Sequence, residues 1–306
     1  MPGKAKEKSR IMLLLGSLKP AFRDLQKNDP LRLAGATAFF TVFAMPAIVF
    51  ILIQLVGIIA GRKAVGKALL DRIAITLGDD GATQVRQVIR GIAGFKENWY
   101  VLAVGFILLL FIATTLFSVI RNSLNSLWFV MVDEKPGLLF ILRSRARSLG
   151  LIFLAGILFV ADMLSESLMM IAGDYIEAAW KQGAVYLNGV LNEIVSGVII
   201  CTWFTLLFRF LGDGRPHWKA ALVGGVLTGL LFKAGKVLLW YLLINSDVGK
   251  LYGASGSLVL VLLFVFYSSF IFYYGACYVY SYSQLRGLPI HTVSKAYQFK
   301  TEEVSQ

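Results

Sequence analysis

The sequence predicts an all-α, polytopic membrane protein with about six transmembrane helices and additional amphipathic interfacial helices. Three observations predict it. Of 306 residues, 57% are hydrophobic and 16% charged, against roughly 45–50% apolar and about 25% charged in soluble domains. The apolar residues fall in long, charge-poor blocks, and a helix needs about 20 of them to cross the hydrocarbon core. The basic residues gather between alternate blocks, as lysine and arginine do in cytoplasmic loops.

The first 33 residues read as a cytoplasmic amphipathic arm. Lys4, Lys6, Lys8 and Arg10 open it. Ile11, Leu14, Leu15, Leu18, Phe22 and Leu25 then recur at helical spacing, with Lys19, Arg23 and Lys27 on another face. An interfacial helix and an ordinary soluble cap helix both fit this pattern. A cleavable signal peptide does not, because the apolar run is short and the basic residues continue past it.

Residues 34–282 read as a single six-helix transmembrane domain. The first span covers about 34–60 and carries no charge. The polar stretch that follows, about 64–98, predicts two short amphipathic helices around a turn at Gly78-Asp79-Asp80-Gly81. Trp99 and Tyr100 mark a membrane interface. The second span covers about 100–120 and ends at Arg121; the third covers 149–171 and contains Asp162 and Glu166. The fourth, about 194–208, leads into a tight basic turn with Arg209, Arg215, His217 and Lys219. The fifth, about 220–244, contains Lys233 and Lys236, and the sixth, about 254–280, is rich in aromatic residues. Its aromatic face suits packing or a ligand cage, and Gly253-Ala254-Ser255-Gly256-Ser257 before it suits a nonhelical start or close helix packing. Residues 283–306 form a polar cytoplasmic tail.

Orientation follows from the basic residues. The amino-terminal arm carries eight, the segment after span two five, the turn after span four three and the tail three. The opposite side carries Lys181 after span three and Lys250 after span five, plus seven in the segment after span one. That segment is the one conflict, and helices lying on the outer surface would accommodate it. Both termini are therefore expected in the cytoplasm and the protein in the cell inner membrane.

Composition also limits the chemistry. A net charge of +12 in a soluble protein would suggest nucleic acid. Here the charges follow the loops, so the expected partners are membrane lipids, anionic ones included, and no nucleic acid. Cys201 and Cys277 lie inside apolar blocks, as small buried residues do. His217 and His291 stand apart, with no acidic or cysteine cluster at ligand spacing. No cofactor and no metal are expected. With no coherent nucleophile and base grouping and no phosphate-cradling loop, the chain is not expected to be an enzyme.

The candidate binding residues are the ionisable groups within the spans, which are costly there and usually face a bundle interior. Lys233 and Lys236 are three apart and share a face of helix five; Asp162 and Glu166 are four apart and share a face of helix three. Two readings are open. In one, the four form a charge network that binds an anionic lipid headgroup. In the other, the carboxylates sit at the outer interface and the lysines snorkel to the inner one. Lys233 lies about 21 Å along a helix from Lys219, which is deep for snorkelling. Arg143, Arg145 and Arg147, with Lys135, are expected either to contact anionic lipid or to serve only as a topology signal.

Several stretches resemble the YihY / virulence factor BrkB family. They are Ala34-Gly35-Ala36-Thr37-Ala38-Phe39-Phe40-Thr41-Val42-Phe43-Ala44-Met45-Pro46, Asn125-Ser126-Leu127-Trp128, Phe208-Arg209-Phe210-Leu211 with Arg215 and Trp218-Lys219-Ala220-Ala221, Gly235-Lys236, Tyr252-Gly253-Ala254 and Gly275-Ala276. The resemblance covers nearly the whole chain. Three positions depart from it: Gly212, where the family often has proline; Lys233, where it commonly has glutamate; and Cys277, where it commonly has an acidic residue. The resemblance implies a six-helix inner-membrane protein linked to serum resistance and to envelope or lipid transport; a former ribonuclease BN label is regarded as wrong for the family. The functions to weigh are therefore a transporter or lipid translocator acting in envelope biogenesis, and a non-transporting membrane scaffold for envelope proteins.

Overall fold

A computed structural model describes residues 12–94, 99–132, 138–179, 184–244, 256–293 and 296–299. Eight helices account for most of them: α1 (Leu18–Lys27), α2 (Pro30–Ala60), α3 (Arg62–Gly94), α4 (Trp99–Leu127), α5 (Leu138–Ala179), α6 (Ala184–Phe210), α7 (Trp218–Ile244) and α8 (Gly256–Leu285). Four short strands lie between and after them: β1 (Val130–Val132), β2 (Gly214–Arg215), β3 (His291–Thr292) and β4 (Ala296–Gln298). Helices dominate because a chain in hydrocarbon must satisfy its backbone within each segment.

Five segments among the described residues are long and apolar enough to cross a membrane: Pro30–Ile58, Arg145–Ser165, Gly189–Phe210, Trp218–Leu238 and Leu258–Leu285. The remaining expected span, 100–120, lies within the 29-residue helix α4. Pro30 occupies the first turn of α2, where its missing N–H costs nothing. Gly61, with φ +83°, ends that helix in a conformation that suits glycine.

Two expectations are corrected. The segment after α2 is a single 33-residue helix with no turn at Gly78-Asp79-Asp80-Gly81. Two helical glycines cost only about 1 kcal/mol each relative to alanine. Burial on both sides, at Val65 and Leu69 before and Ala82 and Val85 after, holds the helix through them. Likewise α5 begins at Leu138, so Arg143, Arg145 and Arg147 stand on its first turns rather than in a loop. Its 42 residues extend about 63 Å, well beyond the roughly 30 Å hydrocarbon core.

Helix α8 sits at the centre, packed against α1, α2, α3, α4 and α7. The arm helix α1 docks on it through Ala21 and Leu25, four residues apart and fully buried. The Tyr274 and Tyr278 hydroxyls of α8 donate to the carbonyls of Leu18 (3.3 Å) and Leu14 (3.1 Å). Met12, Leu15 and Phe22 remain exposed on the arm. Helices α6, α7 and α8 approach closely at glycines, as small residues allow in membrane bundles. A Cβ on Gly224 would fall 2.2 Å from Val279 Cγ2, and one on Gly225 2.7 Å from the Thr205 amide nitrogen.

At the end of the bundle where α4, α6 and α8 finish and α5 and α7 begin, the chain makes a small β cap. β1 pairs antiparallel with β4 (Val130 opposite Gln298), and β2 with β3 (Gly214 opposite Thr292). Residues after α8 thus run back across this end as a strap. Val293 N–H donates to Asp213 O and Phe299 N–H to Phe129 O, each at 2.9 Å. The sequence predicts only a polar tail there.

Candidate functional site

The charges lie in two groups. One is at the β-capped end, which also carries the basic turn between α6 and α7; we call it the basic end. The other lies toward the opposite ends of the spans, with Asp162, Glu193 and Lys233 three to five residues inside them.

At the basic end the centre is Asp213, only 1% exposed. The turn Leu211-Gly212-Asp213-Gly214 places it between two glycines that sit against Trp128. A Cβ on Gly212 would fall 2.6 Å from Trp128 Cζ3, and one on Gly214 3.0 Å from Trp128 Cε3. A buried carboxylate must be paired and hydrogen-bonded. Asn125 Nδ2 donates to Asp213 Oδ2 (2.8 Å), and Asp213 N–H donates back to Asn125 Oδ1 (2.9 Å). Arg147 Nη1 donates to Oδ1 at 2.9 Å and to Gly212 O at 3.4 Å. Arg121 Nε stands 3.8 Å from Oδ2, too far for a hydrogen bond. One side chain therefore ties α4, α5 and the α6–α7 turn together.

Among the described residues, cations outnumber the anion around this carboxylate. Burial holds the Arg121 guanidinium below its ordinary pKa; Asp213 opposes that shift, while Arg147 and Arg145 add to it. Arg215 is lowered likewise, first by burial and then by Arg147, Arg209 and Arg143, with Asp213 opposing. Among the described residues, the buried Nε and Nη1 of Arg121, and the Nε of Arg209 and of Arg215, have no hydrogen-bond partner. Arg209 donates through Nη1 to Pro216 O (2.5 Å) and lies over Trp218, 5.2 Å from the ring centre.

Of the three arginines read either as lipid contacts or as a topology signal, Arg147 turns inward to Asp213. Arg145 donates to Thr114 Oγ1 (2.5 Å) and lies over Phe111, while Arg143 is exposed. Beside the cluster, Trp128 is fully buried and its Nε1–H donates to Ala276 O at 3.0 Å. Trp128→Phe should lower stability by about 2 kcal/mol through the lost bond and ring volume, read as an earlier thermal transition of the purified protein.

Toward the ends of the spans opposite the basic end, the structure gives the predicted charges separate partners. Asp162 Oδ2 accepts from Arg72 Nη2 of α3 at 2.8 Å. Lys233 Nζ donates to Glu193 Oε2 of α6 at 2.6 Å and to Glu193 O at 2.7 Å. No direct bond between Asp162 and Lys233 occurs among the described residues. Lys236 is exposed and within electrostatic reach of Glu193. The side chain of Glu166 lies outside the described residues, as do Lys135 and residues 245–255. Asp162, Glu193 and Lys233 stand about 20–25 Å along their helices from Arg147, Arg209 and Lys219 respectively, at 1.5 Å per residue. They share a depth. Gly197 leaves room for the lysine: a Cβ there would meet Lys233 Nζ at 3.5 Å.

Asp213, Arg72 and Glu193 are the functional candidates that sequence reading missed. For Asp213 a signal existed: it is the lone acidic residue between Glu193 and Asp247, set in a basic turn between glycines. For Arg72 and Glu193 no spacing rule connects residues 90 and 40 positions away from their partners.

Long apolar helices, a charged layer within them and a cationic end define a multi-pass helical membrane protein. The chain belongs to the virulence factor BrkB family, whose model matches residues 21–292. It is similar to the UPF0761 membrane protein of Saccharophagus degradans, 25% identical over 236 residues that cover 76% of this chain and 51% of that one. The UPF0761 membrane protein of Teredinibacter turnerae is 25% identical over 254 residues, 83% of this chain and 57% of that one. That of Haemophilus influenzae is 21% identical over 247 residues, 80% and 86%. The chain thus spans about half the length of the first two relatives. No solved structure matches it.

Proposed function

We propose that the protein is a transporter that moves anionic lipid across the cell inner membrane in envelope biogenesis, with both termini in the cytoplasm and no enzymatic step. The observation that carries this reading is the Lys233–Glu193 pair. The Glu193 side chain is 73% exposed, although it lies in a segment apolar enough to span the bilayer. An ionised carboxylate within hydrocarbon is costly; four residues inside the end of its span, Glu193 would hold a polar step beside α6 where water or a headgroup replaces acyl chains. Arg72 and Asp162 add a second pair at the same depth, and the arginines of the basic end attract an anionic headgroup from the other side.

The test is exchange of a fluorescent phosphatidylglycerol between leaflets of liposomes containing the purified protein, with phosphatidylcholine as the zwitterionic comparison. The wild type should exchange phosphatidylglycerol faster than protein-free liposomes. Replacing both Glu193 and Lys233 by leucine should slow it about tenfold, equivalent to about 1.4 kcal/mol on the barrier. Wild-type exchange no faster than in empty liposomes would remove this reading. It would leave the second one, a non-transporting scaffold for envelope proteins, which the close glycine contacts among α6, α7 and α8 favour.

A further inference from the structure

Between the arm, the start of α7 and the finish of α8 lies an open cavity of about 460 Å³, within the roughly 300–1,000 Å³ of small-ligand sites. Leu14 of the arm lines it, with Trp218, Lys219 and Leu222 of α7 and Tyr282 and Arg286 of α8. Its polarity is graded along both helices. Lys219 is the second residue of its apolar span, and Arg286 lies one residue past the end of its own. One turn further into the bundle, Leu222 follows Lys219 and Tyr282 follows Arg286, each on the same helix face as its cation. The cations therefore stand at the rim on two sides, with apolar and aromatic groups beneath them.

The lining is held in place. Tyr282 stacks on Tyr278 at 6.2 Å, and the Tyr278 hydroxyl donates to Leu14 O. Trp218 meets Phe210 edge-on at 5.7 Å. Arg286 lies over Tyr282, 5.6 Å from the ring centre. Lys219 and Leu222 are exposed. Among the described residues neither cation has a carboxylate partner. Two cations above an apolar floor complement an anionic headgroup above an acyl chain, and Trp218 stands at the depth where indole rings favour the membrane interface.

We propose that this cavity seats one anionic glycerophospholipid, with its phosphate against Lys219 and Arg286 and an acyl chain over Leu222 and Leu14. A soluble anion would leave the apolar floor unfilled, and a zwitterionic headgroup would bring a cation to a cationic rim. The seat does not depend on transport, since a scaffold would hold the same lipid.

The experiment uses the full chain in phosphatidylcholine liposomes, with phosphatidylglycerol brominated on its acyl chains as the probe and brominated phosphatidylcholine as the comparison. Bromine quenches nearby tryptophan fluorescence. The chain has six tryptophans, so the Trp218 signal is taken as the difference from Trp218→Phe. It should be half quenched at a lower fraction of phosphatidylglycerol than of phosphatidylcholine. Lys219→Gln and Arg286→Gln should each raise that fraction about fivefold, the worth of one basic residue beside an anionic headgroup. Lys27→Gln, an exposed arm cation outside the cavity, should leave it unchanged. The proposal is overturned if the two lipids quench alike, if Lys27→Gln shifts the fraction as much as Lys219→Gln, or if soluble glycerol phosphate displaces the lipid. Loss of selective quenching with leaflet exchange intact removes this site alone; the reverse removes the transport reading alone.

Discussion

Replacing Asp213 by alanine is expected to cost about 3–5 kcal/mol, the range found when one partner of a buried ion pair is removed. The carboxylate is almost wholly buried, so its loss strands Arg147 and Arg121 in a low-dielectric site with no anion. It also frees Asn125 Nδ2 and weakens the joint between α4, α5 and the α6–α7 turn. Thermal unfolding of the detergent-solubilised protein, followed by size-exclusion, should move down by about 5–10 °C. Asp213→Asn keeps the shape and an acceptor but removes the charge, and should fall between alanine and wild type. Adding Arg147→Gln to Asp213→Asn should recover part of the loss, because the stranded cation goes with it. Asp29→Ala provides the contrast. Asp29 also pairs with an arginine, Arg32, at 3.6 Å, but the two side chains are 75% and 72% exposed. Solvent screening leaves such a pair worth about 0–1 kcal/mol. Equal losses at the two positions would refute the central role given to Asp213.

The spans were legible because hydrocarbon imposes a simple rule on sequence: about 20 apolar residues in a row, with charges kept out. Residues 34–60 satisfy it, and helix α2 covers them. Lengths beyond the membrane were not legible, because they depend on what the helix meets outside it. The glycines at 78 and 81 suggested a turn on local propensity alone, and packing of α3 against α2 and α8 overrode it. Charge pairing was half legible. Spacing correctly placed Asp162 on one helix and Lys233 on another, but it gives no neighbour, and neighbours are set by which helices touch. Helix α7 packs on α6, so Lys233 meets Glu193. Helix α3 reaches α5, so Arg72 meets Asp162. Three stretches that carried the family resemblance do converge at one place, however. Asn125 and Trp128, the turn from Phe208 to Arg215, and Ala276 meet around Asp213 and Gly212. What looked like separate weak signals in the chain is one packed joint in space.

The second large effect is expected at Gly225, where α6 and α7 touch backbone to backbone. An alanine Cβ there would lie 2.1 Å from Thr205 Oγ1, 2.7 Å from Thr205 N and 2.9 Å from Cys201 O. The hydroxyl has no free direction, since it already donates to Cys201 O at 2.7 Å, and the two backbone atoms cannot turn aside. The helices must separate. Gly225→Ala should therefore destabilise by about 1–3 kcal/mol and Gly225→Val by more, as overpacking of a tight interior does. Gly150→Ala meets nothing within 4 Å. It should be neutral or raise the transition slightly, because alanine favours helix over glycine by about 1 kcal/mol. The separation also bears on function. Lys233 lies two turns further along α7 from Gly225, about 12 Å, and bridges the same helix pair at 2.6 Å. Prising the helices apart at Gly225 should lengthen that bridge before the bundle unfolds. Liposomes made with Gly225→Ala should then show slowed phosphatidylglycerol exchange at temperatures where the protein is still folded. If the variant is destabilised but exchanges at the wild-type rate, the α6–α7 contact serves the fold alone and the polar step at Glu193 is not part of the path.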